Sequence, residues 1–266
     1  MIKSLIKGFT VCVLLFFTIM VIALLWLLRP LDEPAERINV LSSNYLIAHA
    51  GGAIDGYIYT NSKEALMNAL DKGFKYIELD LYETIDSNVV CLHSLEDYKI
   101  MTSTDSEIID TNTFLSHRLY GKYTPMTLND AIKIWEEHPF CFVTDKISDP
   151  KVLNRYFRKN RDKVIVEAFT LDDYFKLKVA GYKPMLTSDG SIKGMIWLII
   201  TNWTNSKISG VVTCHVCDLL LRIYKNMGVE VMLYTVNEES YLKSHIGKDI
   251  DVVYTDFIYP SINNGR

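Results

Sequence analysis

The chain has 266 residues, of which 49% are apolar and 23% are charged, so the composition excludes an intrinsically disordered protein. It carries 28 basic and 32 acidic residues, a formal charge of -4, and lacks the basic excess typical of a nucleic-acid-binding protein. We therefore expect no nucleic-acid partner. The length fits one large domain or two small ones.

The first predicted element is an apolar run at residues 9–28, FTVCVLLFFTIMVIALLWLL. As a helix with a rise of about 1.5 Å per residue, this run would cover the roughly 30 Å hydrocarbon core of a bilayer. A cleaved signal peptide is the alternative, but such peptides have shorter apolar cores that end in small residues. Here the run ends in bulky residues before Arg29-Pro30, which favours a single-pass membrane anchor.

The charges beside this run predict its orientation. Lys3 and Lys7 precede it, whereas Arg29 is followed by a group of acidic residues. Because basic residues favour the cytoplasmic side, we expect the folded domain to lie outside the cytoplasm. The predicted organisation is a cytoplasmic tail at 1–8, the anchor at 9–28, a linker at 29–44, the folded domain at 45–260 and a tail at 261–266.

Beyond the linker, strand-like and helix-like patterns alternate. Strands are predicted at 45–50, 76–81, 89–93, 140–147, 164–169, 182–186, 210–216, 229–236 and 252–255. Helices are predicted at 61–72, 128–137, 150–160, 171–180, 218–226 and 238–246. This alternation is typical of βαβ units and a parallel sheet. About eight repeats over roughly 230 residues favour a (β/α)₈ TIM barrel over a doubly wound sheet. Few residues follow the last strand, so the eighth helix is predicted to be short or absent.

Polar residues end three of the early strands. The first strand ends at His49, the second contains Glu78 and Asp80 on one face, and the next apolar run ends at His93. Two carboxylates at one strand end require a proton or a cation between them, and a hard divalent ion such as Mg²⁺ or Ca²⁺ fits oxygen ligands. Two neighbouring histidines would supply an acid and a base near neutral pH.

Structural interpretations of the same residues remain open. A single histidine such as His49 is more often a hydrogen-bonded structural residue than a catalytic one. Glu78 and Asp80 could also lie on an exposed edge strand, paired with lysines. The Cys214–Cys217 pair is interpreted as buried small side chains, with a disulfide as the alternative. For the apolar segment SIKGMIWLIITNW at 191–203, a buried helix and a second membrane contact through its tryptophans are the two interpretations.

In these strand ends the sequence resembles the glycerophosphodiester phosphodiesterase family of the phosphatidylinositol phospholipase C-like superfamily. That family has a His-Arg-Gly, a Glu-Asn-Thr before the first helix, a Glu-x-Asp on the second strand and a later His-Asp. The resembling segments are IAHAGG at 47–52, TNSKEALMNAL at 60–70, YIELDLYETIDSNVVCLHS at 76–94, PMTLNDAIKIWE at 125–136, VMLYTVNEES at 231–240 and VVYTDFIYP at 252–260. The resemblance spans about residues 45–260 and implies a (β/α)₈ barrel.

The resemblance implies a metal-dependent phosphodiesterase. It assigns Glu78 and Asp80 to a divalent metal, Mg²⁺ or Ca²⁺, and His49 and His93 to acid/base catalysis. In the implied mechanism, a glycerol hydroxyl attacks phosphorus, the histidines move the protons, and water then opens a cyclic phosphate. The implied substrate is a small or lipid-linked phosphodiester at the membrane.

The resemblance also implies three substrate contacts. Asn61 orders the site beside the carboxylates, and Lys146 contacts the phosphate. Tyr234 stands where the family has a tryptophan and lines the substrate pocket.

Two departures from the family pattern concern charge. His49 is followed by Ala50, so the guanidinium that would bind phosphate bidentately is missing. The family's third carboxylate falls on Thr144, while Asp145 would face the other way on a regular strand unless a bulge re-aims it. We predict Asp145 as the third metal ligand, with Thr144 and Glu167 as the alternatives.

Two other functions remain possible at this stage. One is a phospholipase-type lyase that stops at the cyclic phosphate. The other is a membrane-tethered, non-catalytic barrel that assists envelope glycan or lipid assembly. The segment 94–124, which follows His93, is predicted to shape the pocket for the leaving alcohol.

Overall fold

The computed structural model is a barrel preceded by one long helix. It describes residues 2–31, 39–105, 107, 109–188, 194, 196, 198, 201, 208, 210–213 and 218–261. The strands are β1 Leu46–Ala48, β2 Tyr76–Glu83, β3 Val89–Cys91, β4 Cys141–Asp145, β5 Val164–Ala168, β6 Lys183–Ser188, β7 Gly210–Thr213, β8 Glu230–Leu233 and β9 Val252–Thr255. The α-helices are α1 Ile2–Leu27, α2 Lys63–Asp71, α3 Leu95–Thr102, α4 Thr111–Ser116, α5 Leu128–Glu137, α6 Pro150–Phe157, α7 Leu171–Ala180, α8 Asp218–Asn226 and α9 Glu239–His245.

Eight of the described strands form a closed parallel barrel. Their order around the barrel is β1-β9-β8-β7-β6-β5-β4-β2, and β1 closes the ring by pairing with both β9 and β2. β3 pairs antiparallel with β2 and lies outside the ring. The TIM barrel predicted from the alternating pattern is confirmed.

The barrel interior is apolar towards the N-terminal ends of the strands and polar at their C-terminal ends. Alternating side chains on successive strands point inward, and one apolar cluster fills the interior: Ile47, Val143, Ile165, Met185, Val212, Met232, Val252 and Tyr254. Two residues further along β2, β4 and β5, the inward positions carry acidic side chains. A larger apolar cluster lies between the strands and the surrounding helices. The fold therefore places its inward polar groups at the C-terminal ends of the strands.

Local sequence explains where the helices begin and end. Ser62, Thr127 and Thr170 cap the N-termini of α2, α5 and α7 by accepting a backbone N–H three residues on. Gly181 ends α7 in the left-handed conformation, with φ 91°. Residues 256–261, which follow β9, contain no helix.

α1 contains a candidate membrane span at Phe9–Leu27, with a mean hydropathy of 2.8 and none of its most apolar window buried. By length and composition it could cross a membrane or serve as a signal sequence. Its position agrees with the apolar run predicted from the sequence.

Two sequence-based expectations need correction. The strand predicted at 89–93 belongs to a hairpin with β2 and not to the barrel. The 94–124 segment contains α3 and α4, which enclose a small apolar cluster of their own around Tyr98 and Phe114.

Trp197, Trp203, Cys214 and Cys217 lie outside the described residues.

The capping box of α5 generates a stability prediction. The Thr127 hydroxyl accepts the Asp130 N–H at 3.1 Å, and the Asp130 carboxylate accepts the Thr127 N–H at 3.1 Å. We expect Thr127→Ala to destabilise the protein by about 1 kcal/mol, or about 2–4 °C in Tm for a chain of this size. Asn129→Ala, an exposed change in the same turn, is the control in a thermal melt. Equal melting temperatures for the two variants would contradict the capping role.

Candidate active site

Three carboxylates meet at the C-terminal ends of β2 and β4. Glu78 and Asp80 are two residues apart on β2, so both point into the barrel. Asp145 ends β4 and is in register with Asp80. One oxygen from each of the three side chains lies within 4.8 Å of the others. Glu78 and Asp80 are each only 1% exposed, so the exposed edge-strand interpretation is wrong.

The hydrogen bonds of this cluster leave one oxygen without a partner. Glu78 Oε2 accepts the Ala50 N–H at 2.7 Å, whereas Glu78 Oε1 is buried and has no hydrogen-bond partner in the described part of the chain. Asp80 Oδ2 accepts the Asn61 amide at 2.9 Å, and Asn61 Oδ1 accepts the Asp80 N–H at 3.0 Å. Asn61 therefore lies beside the carboxylates, where the resemblance placed it.

Burial makes the charge of these carboxylates costly. Desolvation, followed by the charges of Asp80 and Asp145, raises the pKa of Glu78 well above its usual range. Desolvation also raises the pKa of Asp80, although the Asn61 hydrogen bond opposes it. A divalent cation would remove this cost and complete the coordination of Glu78 Oε1. The three oxygen ligands therefore fit Mg²⁺ or Ca²⁺.

The residue with unusual backbone geometry at this strand end is Lys146. Asp145 shares the inward face with Val143 by ordinary alternation, so the expectation that it needs a bulge was wrong. Lys146 adopts φ +69°, which ends the extended conformation. Its Nζ lies 2.9 Å from Asp145 Oδ2 and 3.9 Å from Asp80 Oδ1. The turn thus directs the lysine into the site.

The other candidates for a third ligand are placed differently. Thr144 is buried, and its hydroxyl has no partner among the described residues. Glu167 faces the barrel interior and accepts hydrogen bonds from Thr187 and Tyr254, each at 2.8 Å. Desolvation and the Asp145 charge raise the pKa of Glu167 to about 8. Glu167 lies beside the three-carboxylate cluster as a fourth acid, and its raised pKa favours the protonated form.

His49 is held by the end of the last strand. It follows β1 directly, and its Nδ1 lies 2.9 Å from Asp256 Oδ1. Asn237 donates to Asp256 Oδ2 at 2.9 Å and accepts the Asp256 N–H at 2.8 Å. These contacts fix the carboxylate that orients the imidazole. Because Nδ1 is occupied, Nε2 is the ring nitrogen left for substrate.

His93 has the same arrangement at a more exposed position. Its Nδ1 lies 2.6 Å from Asp97 Oδ2, and Ser94 also donates to that oxygen. The Tyr59 ring lies between the two histidines, with centroids 4.8 Å from His49 and 4.9 Å from His93. The two imidazoles therefore flank one tyrosine at the mouth of the barrel.

These side chains surround one cavity of about 140 Å³. Its lining residues are His49, Tyr59, Glu78, Asp80, His93, Asp145, Lys146, Glu167, Phe169, Thr187, Tyr234 and Tyr254. Lys146 is the only lysine or arginine among these described lining residues, so no other side chain here replaces the missing guanidinium. Tyr234 lines the cavity as expected. None of the described residues in 94–124 lines the cavity, contrary to the expectation that this segment shapes the pocket. Its Asp97 contacts His93 Nδ1 instead.

The sequence reasoning missed Asp256, Asp97 and Tyr59. Asp256 lies in the closing Thr-Asp that the resemblance included, and Asp97 lies one helical turn after His93. Those spacings were the available signals. Nothing in the pattern around Tyr59 indicated that a positive φ of 58° would turn its ring between the histidines.

Comparisons with known proteins show similarity to one family and to its fold. The model of the glycerophosphoryl diester phosphodiesterase family matches residues 49–136, which confirms the resemblance over the part of the chain that carries both histidines, Glu78 and Asp80. The comparison with curated proteins finds no match.

Solved structures extend the similarity to the whole barrel. A phosphodiesterase from Oleispira antarctica, in complex with the product sn-glycerol-3-phosphate, is 18% identical, covers 80% of this chain and 93% of its own, and has a TM-score of 0.65. A glycerophosphodiester phosphodiesterase from Thermotoga maritima is 21% identical, with 80% and 94% coverage and a TM-score of 0.61. A glycerophosphoryl diester phosphodiesterase from Parabacteroides distasonis is 16% identical, with 86% coverage of each chain and a TM-score of 0.62. At these identities the similarity establishes the fold.

The raised pKa of Glu167 predicts how stability depends on pH. A carboxyl whose pKa is higher in the folded than in the unfolded state destabilises the folded protein as pH rises between the two pKa values. For Glu167 this range runs from about 4.5 to about 8. We therefore expect the Tm of the metal-free protein to fall over this range, by about 2–4 °C for each 1 kcal/mol lost. Glu167→Gln should reduce the fall, because a neutral amide needs no proton.

Thermal melts at pH 5 and pH 8 measure this difference in both proteins. Glu136→Gln, at an exposed position of α5 outside the cavity, is the matched control and should keep the wild-type pH dependence. A Glu167→Gln profile identical to that of the wild type would contradict the assignment.

Proposed function

We infer from the match to the glycerophosphoryl diester phosphodiesterase family that this chain is a phosphodiesterase, and we propose that it hydrolyses a glycerophosphodiester or a related phosphodiester. The observation that carries the proposal is one cavity in which two carboxylate-paired histidines face a three-carboxylate cluster and a lysine. Phosphodiester cleavage needs a base for the attacking hydroxyl, an acid for the leaving alcohol and positive charge at the phosphoryl oxygens. This cavity contains a candidate for each.

His49 and His93 are the proposed acid/base pair. In each, a carboxylate at Nδ1 fixes the ring orientation, so Nε2 exchanges a proton with the substrate. One imidazole takes the proton from the attacking glycerol hydroxyl, and the other donates a proton to the oxygen of the departing alcohol. Their positions on either side of Tyr59 support roles on two sides of the reacting phosphate.

The charge of the phosphate determines the roles of Lys146 and the carboxylates. Lys146 supplies the fixed positive charge, and its hydrogen bond to Asp145 holds the ammonium group in place. Burial lowers the pKa of Lys146, but the Asp145 hydrogen bond and the nearby acidic charges raise it overall, so the side chain stays protonated. Asn61 keeps Asp80 oriented.

Glu78, Asp80 and Asp145 would hold a divalent cation, Mg²⁺ or Ca²⁺, which when bound polarises the phosphoryl oxygens and neutralises their growing charge. This requirement is greater here than in a site with an arginine, because Ala50 provides no guanidinium beside His49. Without a cation, three acidic groups would repel a phosphodiester anion.

The Oleispira antarctica phosphodiesterase was solved with sn-glycerol-3-phosphate, which supports glycerol on one side of the phosphate as the substrate of this chain. We further propose that α1 anchors the enzyme as a single-pass membrane protein. Lys3 and Lys7 precede the span, which supports a cytoplasmic N-terminus and an extracytoplasmic barrel.

The first test concerns the cation. We expect Glu78→Gln to abolish phosphodiesterase turnover and the rise in Tm caused by Mg²⁺ or Ca²⁺, because it removes one of the three ligands. Glu230→Gln should retain both. The measurements are a glycerophosphodiester assay and melts with and without the cation; an undiminished rise in the Glu78→Gln variant would contradict the metal assignment.

The second test concerns the histidines. His49→Ala and His93→Ala should each lower kcat roughly 10²-fold or more while the melting curve stays cooperative. His245→Ala is the matched control, because His245 also pairs with a carboxylate, Asp249, at 3.0 Å but lies outside the cavity.

The products distinguish the remaining functions. A phosphomonoester supports the hydrolase, and a persistent cyclic phosphate identifies a lyase. No turnover by the wild-type protein with either cation would favour a non-catalytic barrel. Near wild-type kcat in both histidine variants would remove the pair from the mechanism.

A further inference from the structure

The junction between α1 and the barrel fixes which face of the barrel is next to the membrane. We propose that the N-terminal face of the barrel, where the strands begin, lies on the bilayer surface, held by Asn226, and that the catalytic cavity opens away from the bilayer. The proposal rests on the proposed membrane anchor and adds the orientation of the active site to it.

Asn226 binds the end of α1 through both ends of its amide. Its Nδ2 donates to the backbone carbonyls of Leu27 and Arg29, each at 3.0 Å, and its Oδ1 accepts Arg29 Nε at 2.9 Å. Asn226 is the last residue of α8 and is 5% exposed. Three hydrogen bonds to a buried side chain define the direction of a junction, whereas an unstructured linker would leave the barrel free to rotate.

The same residues mark the membrane interface. The Arg29 guanidinium lies 4.9 Å from the centre of the Trp26 ring, and Trp26 is exposed. Tryptophan and arginine at the end of an apolar helix are typical of the headgroup level. The Phe9–Leu27 span has no buried part in its most apolar window, so α1 extends away from the barrel. Asn226 therefore binds α1 where the chain leaves the bilayer.

Asn226 and the cavity lie at opposite ends of the barrel. α8 runs antiparallel to the strands, so its last residue precedes the start of β8 at Glu230. The catalytic groups follow or end their strands, as His49 follows β1 and Asp145 ends β4. A strand of about five residues at roughly 3.3 Å per residue separates the two levels by about 15 Å.

Basic residues cluster on the part of this face where β2, β5 and β6 begin. The connection before β5, residues 158–163, contains four basic residues and one acidic residue. Lys72 and Lys75 precede β2, and Lys183 begins β6, all at the N-terminal ends of strands. Lysines and arginines near a bilayer surface are attracted to anionic headgroups. In the proposed orientation this basic cluster would face the headgroups.

This orientation limits how a substrate reaches the site. A phosphodiester whose acyl chain remains in the same bilayer is held at the headgroup level, on the far side of the barrel from the cavity. The enzyme would then act on phosphodiesters in the aqueous phase.

Fluorescence quenching in vesicles tests the orientation directly. The full-length chain is reconstituted in vesicles of phosphatidylcholine and phosphatidylglycerol that contain a lipid with a spin label on its headgroup. A fluorescent non-natural residue replaces either Lys183, exposed at the start of β6, or Ile85, which is 68% exposed beyond the end of β2. We expect several-fold stronger quenching at Lys183.

Variants of the junction show what holds the barrel. Asn226→Leu removes all three hydrogen bonds at similar volume, and Arg29→Ala removes one of them, so the difference between the two probes should shrink strongly in the first and partly in the second. Asn160→Leu, on the same face and hydrogen-bonded locally through its backbone, should leave the difference unchanged. Equal quenching at the two positions, or stronger quenching at Ile85, in the wild-type chain would overturn the proposal.

Turnover in the same vesicles separates this proposal from the proposed function. Hydrolysis of glycerophosphocholine added to the solution, with at least several-fold slower cleavage of a long-chain lysophosphatidylcholine in the bilayer, is the expected result. Equal cleavage of the two would overturn the restriction on substrate access. If the quenching pattern holds but neither diester is cleaved, the orientation stands and the proposed function fails.

Discussion

The site depends on the cost of bringing three carboxylates together at neighbouring strand ends, two of them buried. Glu78, Asp80 and Asp145 are held together because inward-facing positions of parallel strands are in register, and the chain cannot separate them without breaking the barrel. Their mutual repulsion and lost hydration make the empty cluster unfavourable. A bound cation would relieve this repulsion, and that relief would contribute to its affinity. The positive charge of the cation would then attract the phosphodiester. One electrostatic constraint thus links the fold to the proposed chemistry.

Much of the barrel could be predicted because its signals are local. Period-two apolar runs, helical periodicity and stop signals such as Gly181 depend on the immediate neighbours of each residue, and the predicted ranges agree with most strands and helices. The 89–93 run was predicted as a strand of the parallel pattern, but it pairs antiparallel with β2, since an isolated apolar run does not specify the direction of its neighbour. The helices at 94–124 lack strong periodicity, and tertiary packing around Tyr98 determines them.

The site was predictable to the extent that spacing determines direction. Glu78 and Asp80 had to share a face, and His49 and His93 ended strands. The geometry of Lys146 was not predictable in the same way, because one residue with a positive φ reverses the alternation on which the reasoning relied. Partners from distant sequence were also missed. Asp256 lies 207 residues after His49, and no local pattern connects the two.

That long separation has a consequence for when activity can appear. Residues 49–136 contain both histidines and two of the three clustered carboxylates, but the carboxylate that orients His49 comes from Asp256, after the last strand. During synthesis, which runs from the N-terminus, His49 gains this partner only when nearly the whole chain has been made and β9 has paired with β1. The nascent chain therefore holds the proposed catalytic groups in an unassembled state. Closure of the barrel would then be the step at which the proposed activity first becomes possible.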